Sequence, residues 1–537
     1  MADILSIGAN AAQLYKSALA TVGNNIANLN TDGYTRQVAN SIENTPTAKG
    51  SSYIGSGARL VSVTRAFNEF TESNLRDSGS ELSAQDPLIQ YADRIVDVLG
   101  AQNSGLADAF SKFFSSASNL SSDPASTTLR NVFIRDADGL AVRFRELASQ
   151  LSGIQQETDD ALSLQLTSFN ELGKQLFSVN EQLKKRATVD VQPPSLLDQR
   201  DRIMREMSKI AKIHVTESES GTVSIRLDNA GGTLFVDALN VATLSANFDT
   251  DTQGGVEILS DFNGAVGTTS SVTGGELGGI LNFRSQILSP AIENLNALAV
   301  STATEINAIQ TNGIDATGTR GTNLFDPNVD TLGASGFSLL ITEASKIAAA
   351  GLARVTANPE NAGNAKLDYS DIVSGSAVPD FTLNYSDAAG YTINGAAVTP
   401  DASGSFTFGG ITFKVSGTPV DGDSFSVSQN TNAVGDNKSI LAMSRLQNKQ
   451  VLEGNRSLGD GYLDLVSDIG NASALAKISQ EALQVVHDQA VAEKDKVSGV
   501  SLDQEAADLI RFQQAFQASA QVIQASNKMF DSLISIR

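Results

Sequence analysis

Heptad-spaced helices at both ends of the chain constrain its fold more than any other feature. Near the start, apolar or small residues recur at alternating spacings of four and three: Gly8, Ala12, Tyr15, Leu19, Val22, Ile26 and Leu29. The end of the chain has a similar seam: Leu502, Ala506, Leu509, Phe516, Ile523, Phe530 and Ile534. This spacing places an apolar seam on one face of a helix. We therefore expect the terminal helices to pair with each other or with neighbouring copies, the alternative being that each seam is core of a local bundle.

Further helices are predicted between the two ends. The Ser195–Asp198 spacing is typical of a helix start that is capped through a carboxylate. Near the end of the chain, recurring apolar residues predict another long helix, marked by Tyr462, Leu465, Ile469, Leu475, Ile478, Ala482 and Val485. The other predicted helices cover 75–99, 106–120, 140–186 and 289–312.

Two segments have the alternating pattern of β-strands. The stronger one contains residues 381–385, 391–393, 406–408, 411–415 and 425–427, with a hairpin turn at Gly409-Gly410. The predicted fold class is α+β: an elongated multidomain chain with paired terminal helices, a mostly helical middle domain and an inserted antiparallel β outer domain. The expected inner domain is 1–35 with 500–537. The middle domain is 36–212, 273–365 and 438–499, and the β-rich outer inserts are 213–272 and 366–437.

Composition argues against several classes of function. The 537 residues include no Cys and 2 His, and the net charge is −22. Thiol nucleophiles and Cys-ligated metal sites are excluded, and duplex nucleic-acid binding and anionic membrane surfaces are disfavoured. We interpret His214 as structural and His487 as a surface residue. Asp421 and Asp423 suit turn chemistry better than calcium binding. We expect no catalytic site, cofactor or metal, although a pair of distant glycosidase carboxylates remains open.

The sequence also bears on localisation. It has no apolar stretch of the length needed to span a bilayer as a helix, so we expect no membrane insertion. Its first residues, Met1 to Ile7, lack the basic region of a secretory signal peptide. If the protein leaves the cell, we expect another export route.

Motifs along the chain resemble those of a known family. Residues Asn24–Gln37 resemble the N-terminal signature of bacterial flagellar axial proteins, and the ending Tyr34-Thr35-Arg36-Gln37 resembles the hook-associated protein 1 family in particular. Residues 509–520 and 527–533 resemble the C-terminal signature. Internal matches to the same family lie at 196–201, 278–284 and 416–425.

The resemblance implies a structural adaptor that forms a homo-oligomeric ring at the distal end of the hook and joins hook to filament. Its implied partners are the hook protein, the next hook-associated protein and a flagellar type III export chaperone. The implied location is the extracellular flagellum, with terminal helices disordered before assembly. Expected assembly residues are Tyr15, Leu19, Val22, Ile26, Leu29, Tyr34, Leu502, Leu509, Phe516, Ile523, Phe530 and Ile534. The expected chaperone site is Leu509, Phe512, Phe516, Ile523, Phe530 and Leu533.

Three alternatives remain open from the sequence. The first is another axial component, namely a hook, distal rod or second junction protein. The second is a peptidoglycan hydrolase, which needs an acid pair or metal site. The third is a secreted adhesin that uses the β domain.

Overall fold

The computed structural model describes residues 2–49, 52–100, 105–248, 254–269, 272–373, 376–431 and 433–535. Helices and antiparallel sheets alternate along this part of the chain. The α-helices are α1 Ala2–Ala27, α2 Glu69–Ser83, α3 Gln85–Leu99, α4 Leu106–Ser122, α5 Thr127–Leu183, α6 Pro194–Ile210, α7 Gly275–Phe283, α8 Ser289–Thr311, α9 Val329–Leu332, α10 Lys438–Arg445, α11 Leu458–Ser498 and α12 Leu502–Ile534. None of the described helices combines the length and the apolar character needed to cross a membrane.

The strands are short and pair antiparallel. The first ten are β1 Gln37–Glu43, β2 Thr47–Lys49, β3 Ser52–Ile54, β4 Ala58–Arg65, β5 Ile213–Glu217, β6 Val223–Leu227, β7 Leu234–Val236, β8 Thr243–Asn247, β9 Glu257–Phe262 and β10 Ala265–Thr268. The others are β11 Gly313–Ile314, β12 Ala350–Gly351, β13 Ala353–Ala357, β14 Lys366–Ile372, β15 Phe381–Ser386, β16 Gly390–Ile393, β17 Ala396–Val398, β18 Ser405–Phe408, β19 Ile411–Ser416 and β20 Ser424–Gln429. With these elements the predicted α+β, multidomain fold class is confirmed.

The chain divides into two compact units. Unit 1 comprises 1–92, 156–287 and 473–537, and unit 2 comprises 93–155 and 288–472. In unit 1, the later part of α5 packs with α6, α7 and two three-stranded sheets, β5-β6-β7 and β10-β9-β8. Phe169 and Phe235 meet in this core with ring centroids 4.6 Å apart. Unit 1 also contains α1, α12 and the β1–β4 pair, where the candidate functional surface lies.

Unit 2 has an aromatic core and a β sandwich. Phe337 is fully buried, with ring centroids 4.5 Å from Phe144 and 4.6 Å from Phe325. The sandwich consists of a five-stranded sheet, β13-β20-β15-β16-β17, and a three-stranded sheet, β14-β19-β18. The predicted Gly409-Gly410 hairpin turn is present between β18 and β19, and both glycines have positive φ angles of 59° and 78°. Such angles favour glycine because it has no Cβ.

Candidate assembly surface

The two ends of the chain form one antiparallel helix pair. Tyr15 of α1 lies beside Phe512 of α12, with ring centroids 6.2 Å apart. Towards the start of α1, Gly8 lies against Ile523, and towards its end Asn25 reaches Glu505. The contacts therefore run in opposite directions along the two helices. The terminal pairing expected from the heptad spacing is present within a single chain.

Small and polar residues form much of the seam of this pair. On α1, Leu14, Ala18 and Val22 are buried. On α12, the buried residues include Glu505, Ser519 and Ser526. Ser519 follows Glu505 by fourteen residues and Ser526 follows Ser519 by seven, so the three lie on one face in a heptad repeat. A Cβ at Gly8 would lie only 3.0 Å from Cγ1 of Ile523. Small residues such as Gly8 thus let the helices approach closely at these positions.

A buried carboxamide holds the end of α1 in place. The Nδ2 of Asn25 donates to the carbonyl of Gln37 at 2.9 Å and to Oε2 of Glu505 at 3.0 Å. Its Oδ1 accepts from the Gln37 amide at 2.9 Å and from the Tyr34 hydroxyl at 2.8 Å. Because Asn25 is only 1% exposed, these bonds replace those that water would make. We call Asn25, Tyr34, Arg36, Gln37 and Glu505 the Asn25 clamp.

The clamp joins the first residues after α1 to the start of α12. The Nε of Arg36 donates to Oε1 of Glu505 at 2.7 Å, and its backbone amide donates to the carbonyl of Ser498 at 2.9 Å. Burial, followed by the negative charges of Asp198 and Glu505, raises the pKa of Tyr34 to about 12. Tyr34 therefore remains a neutral hydrogen-bond donor over the physiological range.

A second ionic cluster lies beneath the clamp. The Nη1 of Arg65 on β4 lies 2.9 Å from Oδ1 of Asp198 and 2.7 Å from Oδ2 of Asp201, both on α6. Arg200 in turn contacts Asp201 at 2.7 Å and Glu217 of β5 at 2.8 Å. Burial opposes ionisation of Asp201, but the adjacent Arg200 and Arg65 hold its pKa below the ordinary value. The cluster ties the β1–β4 pair to the core of unit 1.

The predicted helix cap at Ser195 is wrong. Helix α6 begins at Pro194, and Pro193 precedes it without any side-chain capping bond. The Asp198 carboxylate instead accepts from Arg65 and, at 3.4 Å, from the amide of Thr35. The charge of Arg65, which comes from a distant part of the sequence, attracts Asp198 more strongly than a local hydroxyl does.

The predicted assembly and chaperone-binding residues fall into three groups by exposure. Val22 is buried, whereas Leu502, Phe516, Phe530 and Ile534 are exposed. The half-buried residues are Tyr15, Leu19, Ile26, Leu29, Tyr34, Leu509, Phe512 and Ile523. The side chain of Leu533 lies outside the described part of the structure. Sequence periodicity missed Asn25 and Glu505, because it detects only apolar positions. The role of the predicted residues at an interface between chains stays a prediction.

The exposed part of this group gives α12 an unpaired apolar surface. Phe530 is 56% exposed and Ile534 is 60% exposed. The pairing partner α1 starts at Ala2, opposite the region of α12 just before Phe530, so the last turns of α12 extend past it. Such a surface is suited to contact with another protein chain.

The structure gives the candidate chemical residues ordinary structural roles. His214 is exposed on β5, whereas His487 is half-buried, with Nδ1 3.2 Å from Oγ of Ser78. The Asp423 carboxylate accepts from the backbone amides of Ala362, Gly363 and Val420. Among the described residues, no group of three or more His, Asp or Glu could hold a metal ion.

Three family models match the chain. Residues 92–325 match the "Flagellar hook-associated protein FlgK helical domain". Residues 5–35 match "Flagella basal body rod protein", and 495–536 match "Flagellar basal body rod FlgEFG protein C-terminal". The last two segments contain most of the paired helices α1 and α12.

Relatives that match over nearly their full length are named flagellar hook-associated protein 1. The chain is 29% identical to flagellar hook-associated protein 1 of Escherichia coli K12, over 99% of this chain and 98% of that protein. Over its full length the chain is similar to flagellar hook-associated protein 1. Another relative with this name, from Bacillus subtilis 168, is 24% identical over 97% of this chain and 95% of that protein. The predicted resemblance to the hook-associated protein 1 family is confirmed.

A solved structure supports the fold of this chain. The flagellar hook junction protein FlgK from Burkholderia pseudomallei superposes with a TM-score of 0.68 at 23% identity, covering 79% of this chain and all of that one. The hook-associated protein 1 relatives are structural flagellar proteins, which agrees with the expectation of a non-enzymatic role.

Proposed function

We propose that this chain is a structural adaptor of the bacterial flagellum, assembling as a ring at the distal end of the hook and joining the hook to the filament. The observation that carries the proposal is the likeness to hook-associated protein 1 over 99% of the chain, which includes both terminal segments. The chain would contact the hook protein on one side and the next hook-associated protein on the other. It would act outside the cell, as part of the flagellum.

The terminal helices supply the means of assembly. Their pairing is fixed at one end by the Asn25 clamp, while Phe530 and Ile534 lie exposed at the other. Burial of such side chains between copies contributes about 1.5–3 kcal/mol each. That gain would offset the entropy lost if the helices become ordered only on assembly.

The clamp and the ionic cluster below it provide a route for mechanical load. Arg36 links α12 to the segment after α1, and Arg65 links β4 to Asp198 and Asp201 of α6. Force applied to the terminal helices would thereby reach the packed core of unit 1 through charged hydrogen bonds rather than through a flexible linker. This arrangement suits a joint between two rotating tubes.

Export and chaperone binding complete the proposal. The chain would leave through the flagellar type III apparatus without a cleaved signal peptide. The chaperone would cover α12 through Leu509, Phe512, Phe516, Ile523, Phe530 and Leu533. Phe516 and Phe530 are exposed in the single chain, which would give a chaperone apolar side chains to cover before assembly.

Complementation in the native host tests the proposal. A strain lacking this protein would receive either the full chain or a chain lacking residues 500–537. The shortened chain should leave hooks without filaments and release flagellin into the medium, as seen by electron microscopy and immunoblotting. Normal filaments would contradict the junction role, and loss of the hooks would favour a rod or hook component.

A point variant separates assembly from folding. Phe530→Asp places a charge on an exposed position of α12, so the chain should still fold and be exported, yet filament number should fall. Gln524→Asp is the matched control, since Gln524 is also exposed on α12. Equal filament numbers in the two variants would count against α12 as an assembly surface.

A further inference from the structure

The end of α11 is apolar on two faces. Its inward face packs within unit 1 through small or half-buried residues: Ser473, Ala476, Leu483, His487 and Ala490. His487 contacts Ser78 of α2 at 3.2 Å, and Gln480 donates to Asp86 of α3 at 2.6 Å. These contacts show which side of α11 faces the rest of unit 1.

The larger aliphatic side chains lie on the other side of the helix. Leu475, Ile478, Val485 and Val486 are 65%, 63%, 68% and 54% exposed. Together with the exposed Ala482, they form what we call the α11 stripe. The spacing of three, four and three from Leu475 to Val485 is that of a coiled-coil seam. The buried face of α11 carries Ala476 and Ala490 rather than these larger side chains.

The α11 stripe is a contiguous apolar surface rather than a set of isolated exposed apolar residues. Single exposed aliphatic residues are common on folded proteins, but a contiguous apolar patch marks an interaction site. The heptad spacing of the stripe suits packing against another helix better than packing against a flat or irregular surface. A helix with two apolar faces requires two partners, and unit 1 supplies only the partner for the face with small residues.

We propose that the α11 stripe is a contact between neighbouring copies of this chain. This inference rests on the proposed function, which requires such copies to assemble. Helix α11 ends at Ser498 and α12 begins at Leu502, so the helix that carries the α11 stripe leads directly into the helix that carries the proposed assembly surface.

The net charge of the chain restricts where two copies can touch. The chain carries a net charge of −22, so two copies repel each other over most of their surfaces. From Leu475 to Val486 the stripe itself carries only Leu, Ile, Ala and Val. An uncharged apolar strip reduces the number of like charges that two acidic copies place in contact. A lipid surface is less suited, because Glu481 and Asp488 are also exposed on this part of α11.

The size of the stripe fits a contact that forms only in a larger assembly. The stripe consists of only five side chains, whereas a stable two-protein interface takes about 20–30 residues from each partner. The stripe alone is therefore too small to hold a dimer, so single chains would stay separate until other contacts in a ring bring them together.

Photocrosslinking in assembled flagella tests the proposal directly. The photoreactive amino acid p-benzoylphenylalanine would replace Ile478 in one strain and Gln484 in the control strain. Gln484 is exposed on the same helix but lies on a different face. After illumination of isolated hook–filament complexes, position 478 should give a crosslinked product that contains two copies of this chain, and position 484 should not. A product with another flagellar protein, or no product at position 478, would overturn the proposal.

A pair of polar substitutions gives an independent readout. Ile478→Asp combined with Val485→Asp places charges on two exposed positions, so the purified chain should keep its circular dichroism spectrum. Motility and filament number should fall, whereas Gln484→Asp should leave both unchanged. Full motility of the double variant would overturn the proposal.

The two proposals fail in different ways. If the wild-type chain is absent from hook tips by immunogold labelling, the proposed function fails. If the wild-type chain is present at hook tips and filaments grow, but position 478 gives no self-crosslink, only the inference about the α11 stripe fails.

Discussion

The carboxamide of Asn25 donates to the buried carboxylate of Glu505 at 3.0 Å, joining two residues that are 480 positions apart in the sequence. Glu505 is 1% exposed and also accepts from Arg36 at 2.7 Å. A buried carboxylate without partners costs several kcal/mol. The two ends of the chain are therefore held together by specific polar bonds as well as by apolar contact.

Loss of the Glu505 carboxylate should loosen the terminal helix pair. Glu505→Ala leaves Arg36 and one Asn25 N–H without their buried acceptor, at a cost of about 2–4 kcal/mol. We expect faster hydrogen–deuterium exchange at the start of α12, measured by mass spectrometry on the full chain. Asp503→Ala is the matched control, because Asp503 is exposed in the same first turn and its loss costs about 0.5 kcal/mol. Equal exchange in the two variants would contradict a stabilising role for the clamp.

The Asp201 carboxylate should make the stability of unit 1 depend on acid pH. Its pKa in the folded chain is lowered from 3.8, although burial alone would raise it, because Arg200 and Arg65 favour the charged form. A lowered pKa contributes stability that is fully present above the unfolded value of 3.8 and is lost as pH falls through the lower folded value. The difference in urea midpoint between the wild-type chain and Asp201→Asn should therefore shrink as pH falls below about 4.

The control for this experiment is an exposed carboxylate on α5. Asp160→Asn should change stability by less than about 0.5 kcal/mol at neutral pH. A difference between wild type and Asp201→Asn that stays constant down to pH 2 would show that the ion pairs of Asp201 do not carry this stability.

Sequence patterns predicted most of the regular structure, because the elements follow apolar periodicity. The predicted strand at 381–385 is β15, Phe381–Ser386, in which Phe381 and Leu383 are buried. The predicted helix at 289–312 is α8, Ser289–Thr311. The terminal seams were also visible, since Val22 and Ile523 are large and apolar.

The polar part of the candidate site could not be predicted in this way. Asn25, Glu505, Ser519 and Ser526 occupy buried seam positions that an apolar pattern does not detect. Their partners, such as Arg36, come from distant segments. The strands β1 and β4 were missed for a related reason, because they form a two-stranded sheet that leaves Val38, Ile42 and Val61 exposed. In both strands, half-buried and exposed residues alternate only over the first four positions.

Because Gly8 is closely packed and Gly23 is not, substitutions at these two glycines of α1 should have opposite effects on stability. A Cβ at Gly8 would meet Ile523 and Val522 at 3.0 and 3.3 Å, whereas Gly23 has nothing within 4 Å. Gly23→Ala should therefore stabilise α1 by about 1 kcal/mol through helix propensity. Gly8→Val should destabilise the pair by about 1–3 kcal/mol, because its added methyl groups force the helices apart. Hydrogen–deuterium exchange of α1 measures both effects, and protection of α1 by Gly8→Val would contradict close pairing.

Excision of the β sandwich should leave the junction role intact. The strands from β13 to β20 begin and end close together, since the amide of Asn430 donates to the carbonyl of Leu352 at 3.1 Å. Residues 353–429 can therefore be replaced by a short Gly-Ser linker that spans only this small gap. Because the terminal helices, the Asn25 clamp and the α11 stripe all belong to unit 1, we expect such cells to grow filaments and swim. The measurement is filament counting by electron microscopy, together with swimming in soft agar.

The matched control carries the same linker without any excision, inserted at the exposed turn of Asn394 and Gly395. A Cβ at Gly395 would meet nothing within 4 Å, so the insertion should be tolerated. Filament growth in the control strain combined with its loss in the excised strain would mean that the sandwich takes part in assembly. Retained filaments with reduced attachment to surfaces would assign the sandwich a separate adhesive role, carried by a part of the chain that the joint itself does not need.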